Sequence, residues 1–168
     1  MQRTFVMLKP DAVTRGLIGE VVARFERRGL RIVGMKMVRM DEKLCKTHYA
    51  HHAGKSFFPS LIRFMTSTPV VCLVLEGKQA IEVVRKMCGS TNAREAEPGT
   101  IRGDYSLSTQ VNIIHASDTP EMAEAEIARF FRPDELFDYE LPFVQYAEDE
   151  LVERRELVPP RKKHREEP

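Results

Sequence analysis

The sequence contains no tryptophan, and only 9 glycines and 10 prolines stand among its 168 residues. So little glycine and proline excludes collagen-like and low-complexity chains. The longest interior apolar run, Val70 to Leu75, has six residues against the ~20 that a membrane-spanning helix needs. With 42% hydrophobic and 30% charged residues, the composition predicts a soluble globular domain with one core and no membrane partner.

Cysteine is also scarce. Cys45, Cys72 and Cys88 are odd in number, widely spaced and without a C-x-x-C pair, so neither a disulfide framework nor a zinc site is predicted. At the N-terminus, Arg3 and Lys9 enclose only four apolar residues, fewer than the apolar segment of a signal peptide. We therefore expect reduced, buried thiols and a cytoplasmic location.

An excess of charge of one sign is absent as well, since 26 Lys and Arg face 25 Asp and Glu. Residues 151–168 contain six basic and four acidic side chains, which leaves residues 1–150 with one acidic group in excess. This balance is not typical of a dedicated nucleic-acid-binding protein. We predict a domain at residues 1–150 and a charged C-terminal extension at 151–168, whose few aliphatic residues dock on a neighbouring subunit.

Hydrophobic periodicity indicates alternating strands and helices. Strands are predicted at 4–9, 30–40, 70–75 and 111–114, and helices at 16–28, 41–49, 57–65, 78–88 and from 117–121 to 131. This order contains a split β-α-β arrangement, so we predict an α/β fold, a ferredoxin-like sandwich with a four-stranded antiparallel sheet. Residues 89–108 show little periodicity and are expected to form a long functional loop.

Two titratable residues lie close to the predicted end of the sheet. His115 follows the strand at 111–114 and precedes a helix start, a junction at which side chains open onto a cleft. Glu126 shares an arc of that helix with Ala123 and Ile127, and a carboxylate on an apolar face needs a partner. The imidazole of His115 is a suitable partner. A purely structural His115 and a Glu126 that reaches solvent remain the alternatives.

Three basic residues together favour an anionic ligand, although each one alone could be an ordinary charged side chain in contact with solvent. They are Lys9 after the first strand, Arg85 beside an apolar helix face, and Arg102 in the long loop. The glycine-rich phosphate motifs G-x-x-x-x-G-K-[ST] and G-x-G-x-x-G are absent, so side chains would have to help hold a phosphate.

A histidine cluster raises the question of a metal. His48, His51 and His52 have spacings that metal ligands can have, but no H-E-x-x-H motif is present. An exposed polar helix face explains the pattern equally well. We predict no metal site formed by protein residues.

Four segments resemble nucleoside diphosphate kinase, namely TFVMLKPDAVTRGLIGEV from Thr4, HY at 48–49, PGTIRGDY from Pro98 and NIIHASD from Asn112. The resemblance runs from Arg3 to about Tyr146. It implies a ferredoxin-like subunit in a homo-oligomer, a hexamer or tetramer. It also implies ping-pong transfer of the γ-phosphoryl group from a nucleoside triphosphate to a nucleoside diphosphate through a phosphohistidine.

The resemblance also assigns roles by position in these motifs. His115 would be the nucleophile, oriented by Glu126 and Ser117, with Tyr49 close by. Phe57 would stack on the base, assisted by Leu61, and stacking tolerates any base. Mg²⁺ would bridge the phosphates. The nucleotide-binding set implied is Lys9, Phe57, Leu61, Arg85, Thr91, Arg102 and Asn112, with Lys9 also counted as catalytic.

Several positions depart from the family pattern. His51 replaces an acid that is linked to the metal, so we expect no metal ligand there. Lys55-Ser56 replace Arg-Pro before Phe57, Thr109 replaces an apolar base contact, and Gln110-Val111 replace Gly-Arg. These changes predict a base pocket that is looser or differently arranged.

Two other function classes are the alternatives. An RNA-binding module of this fold would present stacking aromatics on its central strands, and residues 70–75 and 111–114 contain none. A ligand-sensing domain would keep the fold without the chemistry. The presence of Lys9, Arg102, His115 and Glu126 argues against that loss, and labelling of the protein by a γ-phosphate would discriminate the two.

Overall fold

The structure is a computed structural model, and it describes residues 1–139 and 141. The predicted extension at 151–168, and the domain end at 150, lie outside the described residues.

Four strands and seven α-helices alternate along the described chain. The strands are β1 (Gln2–Leu8), β2 (Arg31–Val38), β3 (Val70–Gly77) and β4 (Ile114–Ala116). The helices are α1 (Pro10–Thr14), α2 (Ile18–Arg27), α3 (Glu42–His48), α4 (Phe58–Met65), α5 (Ala80–Cys88), α6 (Ile101–Tyr105) and α7 (Pro120–Phe130). Short 3₁₀ turns occupy Ala50–His52, Ala93–Glu95 and Pro133–Glu135.

The sheet has the order β2-β3-β1-β4, and each neighbouring pair is antiparallel. Alternate side chains of β1 enter opposite faces of the sheet, as the period of two requires. Val6 and Leu8 pack in one apolar cluster with α2 and α5, whereas Phe5 and Met7 pack in another with α3, α4 and α7. The predicted ferredoxin-like α/β sandwich is confirmed.

Several local predictions also hold. Asp41 caps α3 by accepting a hydrogen bond from the Leu44 N–H at 2.7 Å, and the amphipathic face of α2 buries Val21 and Phe25. Cys45, Cys72 and Cys88 are buried free thiols. None of the helices at residues 1–139 is long and apolar enough to cross a membrane.

Pro10 does more than end β1. It occupies the first turn of α1, a helix that was not predicted, because proline suits the start of a helix where its missing N–H costs nothing. The helix predicted from residue 16 accordingly begins at Ile18.

The prediction of a long loop without regular structure at 89–108 is wrong in part. This segment contains one 3₁₀ turn and α6, which Thr100 caps by accepting a hydrogen bond from the Gly103 N–H at 3.1 Å. A helix of five residues is too short to show a hydrophobic period, so the pattern could not indicate it.

The last strand is shifted from its predicted position. β4 begins at Ile114 rather than Val111, because Ile113 has a φ of 73° and interrupts the extended backbone. His115 therefore lies within the strand, opposite Met7 of β1. The cap of α7 is Thr119, whose hydroxyl accepts from the Met122 N–H at 3.2 Å, rather than Ser117 or Asp118.

Candidate active site

A cavity of about 620 Å³ opens at the end of β1 and β4. Its walls come from the 3₁₀ turn after α3, from α4 and α5, and from the segment between α5 and β4. The predicted site residues that line it are Lys9, Tyr49, Phe57, Leu61, Arg85, Thr91, Arg102, Asn112 and His115. Glu126 and Ser117 are buried behind His115.

His115 is held by a buried carboxylate. Its Nε2 lies 2.8 Å from Glu126 Oε1, and the Ser117 hydroxyl donates to Glu126 Oε2 at 2.5 Å. Burial acts to raise the pKa of Glu126, but the hydrogen bonds from His115 and Ser117 outweigh it and hold this pKa below the ordinary value. The ionised carboxylate only accepts, so Nε2 carries the proton. In neutral His115 the lone pair is therefore on Nδ1.

A second histidine belongs to this network and was missed. The His48 ring lies edge-on to the His115 ring with centroids 4.8 Å apart, and its side chain is 0% exposed. Arg129 Nη1 lies 3.1 Å from His48 Nδ1, which must accept because a guanidinium only donates. Burial and the neighbouring His115 lower the pKa of His48 to about 3. The expected exposed polar face is therefore wrong for His48, which stays neutral.

His48, His115 and Glu126 bring three potential metal-ligating atoms within 4.8 Å of one another. The His48 nitrogen nearest Glu126 is the one that Arg129 contacts, and the proton of His115 Nε2 faces Glu126. A divalent cation would have to displace both hydrogen bonds and sit beside a guanidinium. These contacts assign the cluster to hydrogen bonding.

Lys9 and Asn112 are joined in the wall of the cavity. Lys9 Nζ donates to Asn112 Oδ1 at 2.7 Å and to the Gln110 carbonyl at 3.2 Å. Asn112 Nδ2 donates in turn to the carbonyls of Thr91 and Thr109 at 2.8 and 2.9 Å. Burial and then the nearby Arg102 lower the pKa of Lys9 to about 8. A bound anion would stabilise its charged form.

Arg102 is fixed in place by the backbone. Its two terminal nitrogens donate to the carbonyls of Gly89 and Ile114, each at 2.7 Å. Gly89 has a φ of 80°, and a side chain there would also clash with Thr100, so only glycine fits this position. The position of Arg102 thus depends on the turn after α5.

The charge of the cavity is mainly positive. Arg85 Nη1 forms an ion pair with Asp118 Oδ1 at 2.7 Å, and Asp118 is the only acidic residue among the described lining residues. Three basic residues, Lys9, Arg85 and Arg102, line the same cavity. The cavity can therefore hold a multiply charged anion.

Two aromatic residues line the cavity at different depths. Tyr49 is buried, its ring centroid lies 6.2 Å from that of His115, and its hydroxyl has no partner among the described residues. Burial raises the pKa of Tyr49, which keeps the hydroxyl protonated as a donor. Phe57 stands at the rim, 42% exposed, above the buried Leu61. An exposed aromatic face at a cavity rim is a platform on which a planar ligand can stack.

Comparison with known proteins supplies the family. A family model described as nucleoside diphosphate kinase matches residues 2–136. The chain is 57% identical over 142 residues to the nucleoside diphosphate kinase of Thermococcus kodakarensis, covering 83% of this chain and 82% of that one. It is 58% identical over 138 residues to that of a Roseiflexus species, covering 82% and 93%.

Solved structures agree. A nucleoside diphosphate kinase of Halobacterium salinarum in complex with CDP superposes with a TM-score of 0.81 at 51% identity, covering 83% of this chain and 93% of that one. A family protein from Babesia bovis gives a TM-score of 0.81 at 41% identity, covering 84% and 95%. The resemblance seen in the sequence motifs is confirmed, and the chain belongs to the nucleoside diphosphate kinase family of phosphotransferases.

Proposed function

We propose that the chain transfers the γ-phosphoryl group of a nucleoside triphosphate to a nucleoside diphosphate, with His115 as the phosphorylated residue. The observation that carries this assignment is the 2.8 Å contact of His115 Nε2 with Glu126 at the base of a cation-lined cavity. Nδ1 has no hydrogen-bond partner among the described residues, so its lone pair is available to a ligand in the cavity.

The reaction has two half-reactions of opposite direction. Nδ1 attacks the γ-phosphorus while the bond to the β-γ bridging oxygen breaks, and the nucleoside diphosphate leaves with the electron pair. A terminal oxygen of a second nucleoside diphosphate then attacks the phosphohistidine, and Nδ1 regains its lone pair. Such transfers need positioning and charge stabilisation more than acid–base chemistry. The same histidine, His115, therefore serves both half-reactions.

Glu126 orients the imidazole in this scheme. A carboxylate that accepts from Nε2 fixes the tautomer and stabilises the positive charge that develops on the ring as Nδ1 bonds to phosphorus. Ser117 holds the second carboxylate oxygen, so Glu126 cannot rotate freely. Both residues are buried and act through His115.

The cations and donors of the cavity hold the polyphosphate and the sugar. Arg85 and Arg102 contact the phosphates, and Thr91 adds a hydroxyl. Lys9 and Asn112, already joined at 2.7 Å, reach the phosphates and the ribose hydroxyls. The unpartnered Tyr49 hydroxyl donates close to His115. The charge of the transferred group is thereby spread over several donors.

The base stacks on Phe57, with Leu61 beneath it. Every nucleobase presents a π-face, so stacking accounts for broad base tolerance. The complex of the Halobacterium salinarum relative with CDP supports a nucleotide as the ligand.

Mg²⁺ accompanies the nucleotide in this proposal. The single acidic side chain among the described lining residues, Asp118, is paired with Arg85, so the protein supplies no oxygen-rich cage. Magnesium characteristically keeps waters and binds through substrate phosphates, which fits this donor set. When bound, the ion neutralises phosphate charge.

We further propose a homo-oligomer. Met35 and Met37 of β2, at the edge of the sheet, are 51% and 58% exposed. An edge strand with exposed apolar side chains is a surface that a second copy can cover. Light scattering on the purified protein measures the number of subunits.

Labelling tests the phosphohistidine directly. After incubation with ATP labelled at the γ-phosphate, the protein should carry acid-labile, base-stable label, and His115→Ala should carry none. Ser117→Ala is the matched control, since an acid-stable label lost in this variant would mean phosphoserine instead. Exchange of phosphate by His115→Ala between ATP and a second nucleoside diphosphate would contradict the proposal.

A further inference from the structure

Two polar side chains connect α4 to the segment before β4, close to Phe57. Ser60 lies on α4, and Gln110 lies 50 residues further along, in the segment before β4. The structure places Ser60 Oγ 3.2 Å from Gln110 Oε1 and 2.8 Å from the Phe57 carbonyl. The amide of Gln110 is thus tied to the element that carries the stacking platform.

The single proton of the Ser60 hydroxyl determines how the Gln110 amide is oriented. A serine hydroxyl has one proton, and the shorter bond, to the Phe57 carbonyl, uses it. Ser60 Oγ can then only accept from Gln110, so we turn the amide by 180° from the orientation in which Oε1 lies against Ser60, and the NH₂ group faces Ser60 instead. The oxygen and nitrogen of a glutamine amide are told apart by this hydrogen-bond network. Oε1 then takes the position of the amide nitrogen, for which no hydrogen-bond partner lies among the described residues.

Gln110 lies between Lys9, which is proposed to reach the ribose, and Phe57, which is proposed to stack on the base. Its backbone carbonyl accepts from Lys9 Nζ at 3.2 Å, and its side chain reaches the residue that contacts Phe57. Gln110 itself lines the cavity and is partly buried. Because Gln110 and Phe57 line the same cavity and are linked through Ser60, we expect the edge of a planar ring stacked on Phe57 to lie within reach of this side chain.

We propose that Gln110 Oε1 accepts a hydrogen bond from the exocyclic amino group of the stacked base, which adds a base preference to the tolerance that stacking allows. This role rests on the proposed function. Bases that carry an oxo group at the same position bring a second acceptor against Oε1 and leave both oxygens unpaired. The chain then favours cytosine over uracil nucleotides and adenine over hypoxanthine nucleotides.

Matched substrate pairs test this preference. CDP and UDP, like ADP and IDP, differ mainly by an amino group in place of an oxo group. The kcat/KM of the amino nucleotide divided by that of the oxo nucleotide therefore isolates the contact with Gln110. We expect ratios of about 3 to 10 for the wild type, as one neutral hydrogen bond provides. Gln110→Ala should bring both ratios close to one, and Gln110→Glu, which keeps an acceptor, should retain a preference for the amino base.

Ser60→Ala is the second variant, because it leaves Gln110 in place but removes the group that orients it. Its ratios should fall between those of the wild type and Gln110→Ala. Equal kcat/KM within both pairs for the wild type, or ratios unchanged by Gln110→Ala, would overturn the base-selecting role.

The phosphohistidine label separates the two proposals. If the wild type takes up label on His115 but its pairs show no ratio that depends on Gln110, only the role of Gln110 is wrong. If no phosphohistidine forms, both the proposed function and the role of Gln110 are wrong.

Discussion

The carboxylate of Asp11 accepts a hydrogen bond from the backbone N–H of Ile113, 102 residues further along the chain, with an Oδ2 to N distance of 3.0 Å. Ile113 has a φ of 73°, which is unfavourable for a β-branched residue. The Lys9 N–H also donates to the Ile113 carbonyl at 2.8 Å. The segment after β1 thereby holds the strained residue that sets the start of β4 and the position of His115.

Removal of this carboxylate should affect both stability and activity. We expect Asp11→Ala to lower the free energy of unfolding by about 1–3 kcal/mol, because a buried N–H loses a charged acceptor. It should also lower kcat, since Ile113 can relax and move His115. Urea unfolding and a coupled assay measure the two effects. Asp11→Asn keeps an acceptor and is the matched control, so a loss as large as that of alanine would refute this account.

Substitution of Glu126 should slow the reaction more than it weakens binding. Glu126→Gln retains the shape but lacks the negative charge that supports His115, so kcat should fall about 10- to 100-fold. Nucleotide affinity, measured by calorimetry, should change little. A rate equal to that of the wild type would mean that Glu126 is only structural.

Lys9 makes nucleotide binding dependent on pH. Its pKa of about 8 means that the free protein is cationic at this position below pH 8 and neutral above it. Bound phosphates favour the cation, so binding takes up a proton at higher pH and KM should rise as pH increases above about 8. Lys9→Met should have a higher KM throughout with a flatter pH dependence. An equally steep rise in this variant would assign the effect to another group.

Phe57 should contribute to the binding of every nucleotide alike. Loss of a stacking face costs about 1–3 kcal/mol, so Phe57→Ala should raise KM for purine and pyrimidine nucleotides by similar factors. Phe57→Tyr keeps an aromatic face and should retain most of the affinity. Loss confined to one base would contradict stacking as the source of base tolerance.

The local pattern was informative where side chains repeat over a whole element. The apolar stripe of α2 and the continuous run of β3 predicted their elements, and the motifs around Lys9 and His115 indicated the family. Glu126 was expected beside His115 because a carboxylate on an apolar helix face needs a partner, and the structure places it there.

Only the tertiary structure decided the features that depend on contacts between distant residues. His48 gave no periodic signal of its role, because its burial comes from Phe5, Phe130 and His115 on other elements. The start of β4 depends on Asp11, and the orientation of the Gln110 amide depends on Ser60. The sequence by itself thus determined the order of the elements and the chemical groups of the site. Packing across the sheet determined which of those groups meet, because hydrogen bonds and burial act between residues that are neighbours only in the folded chain.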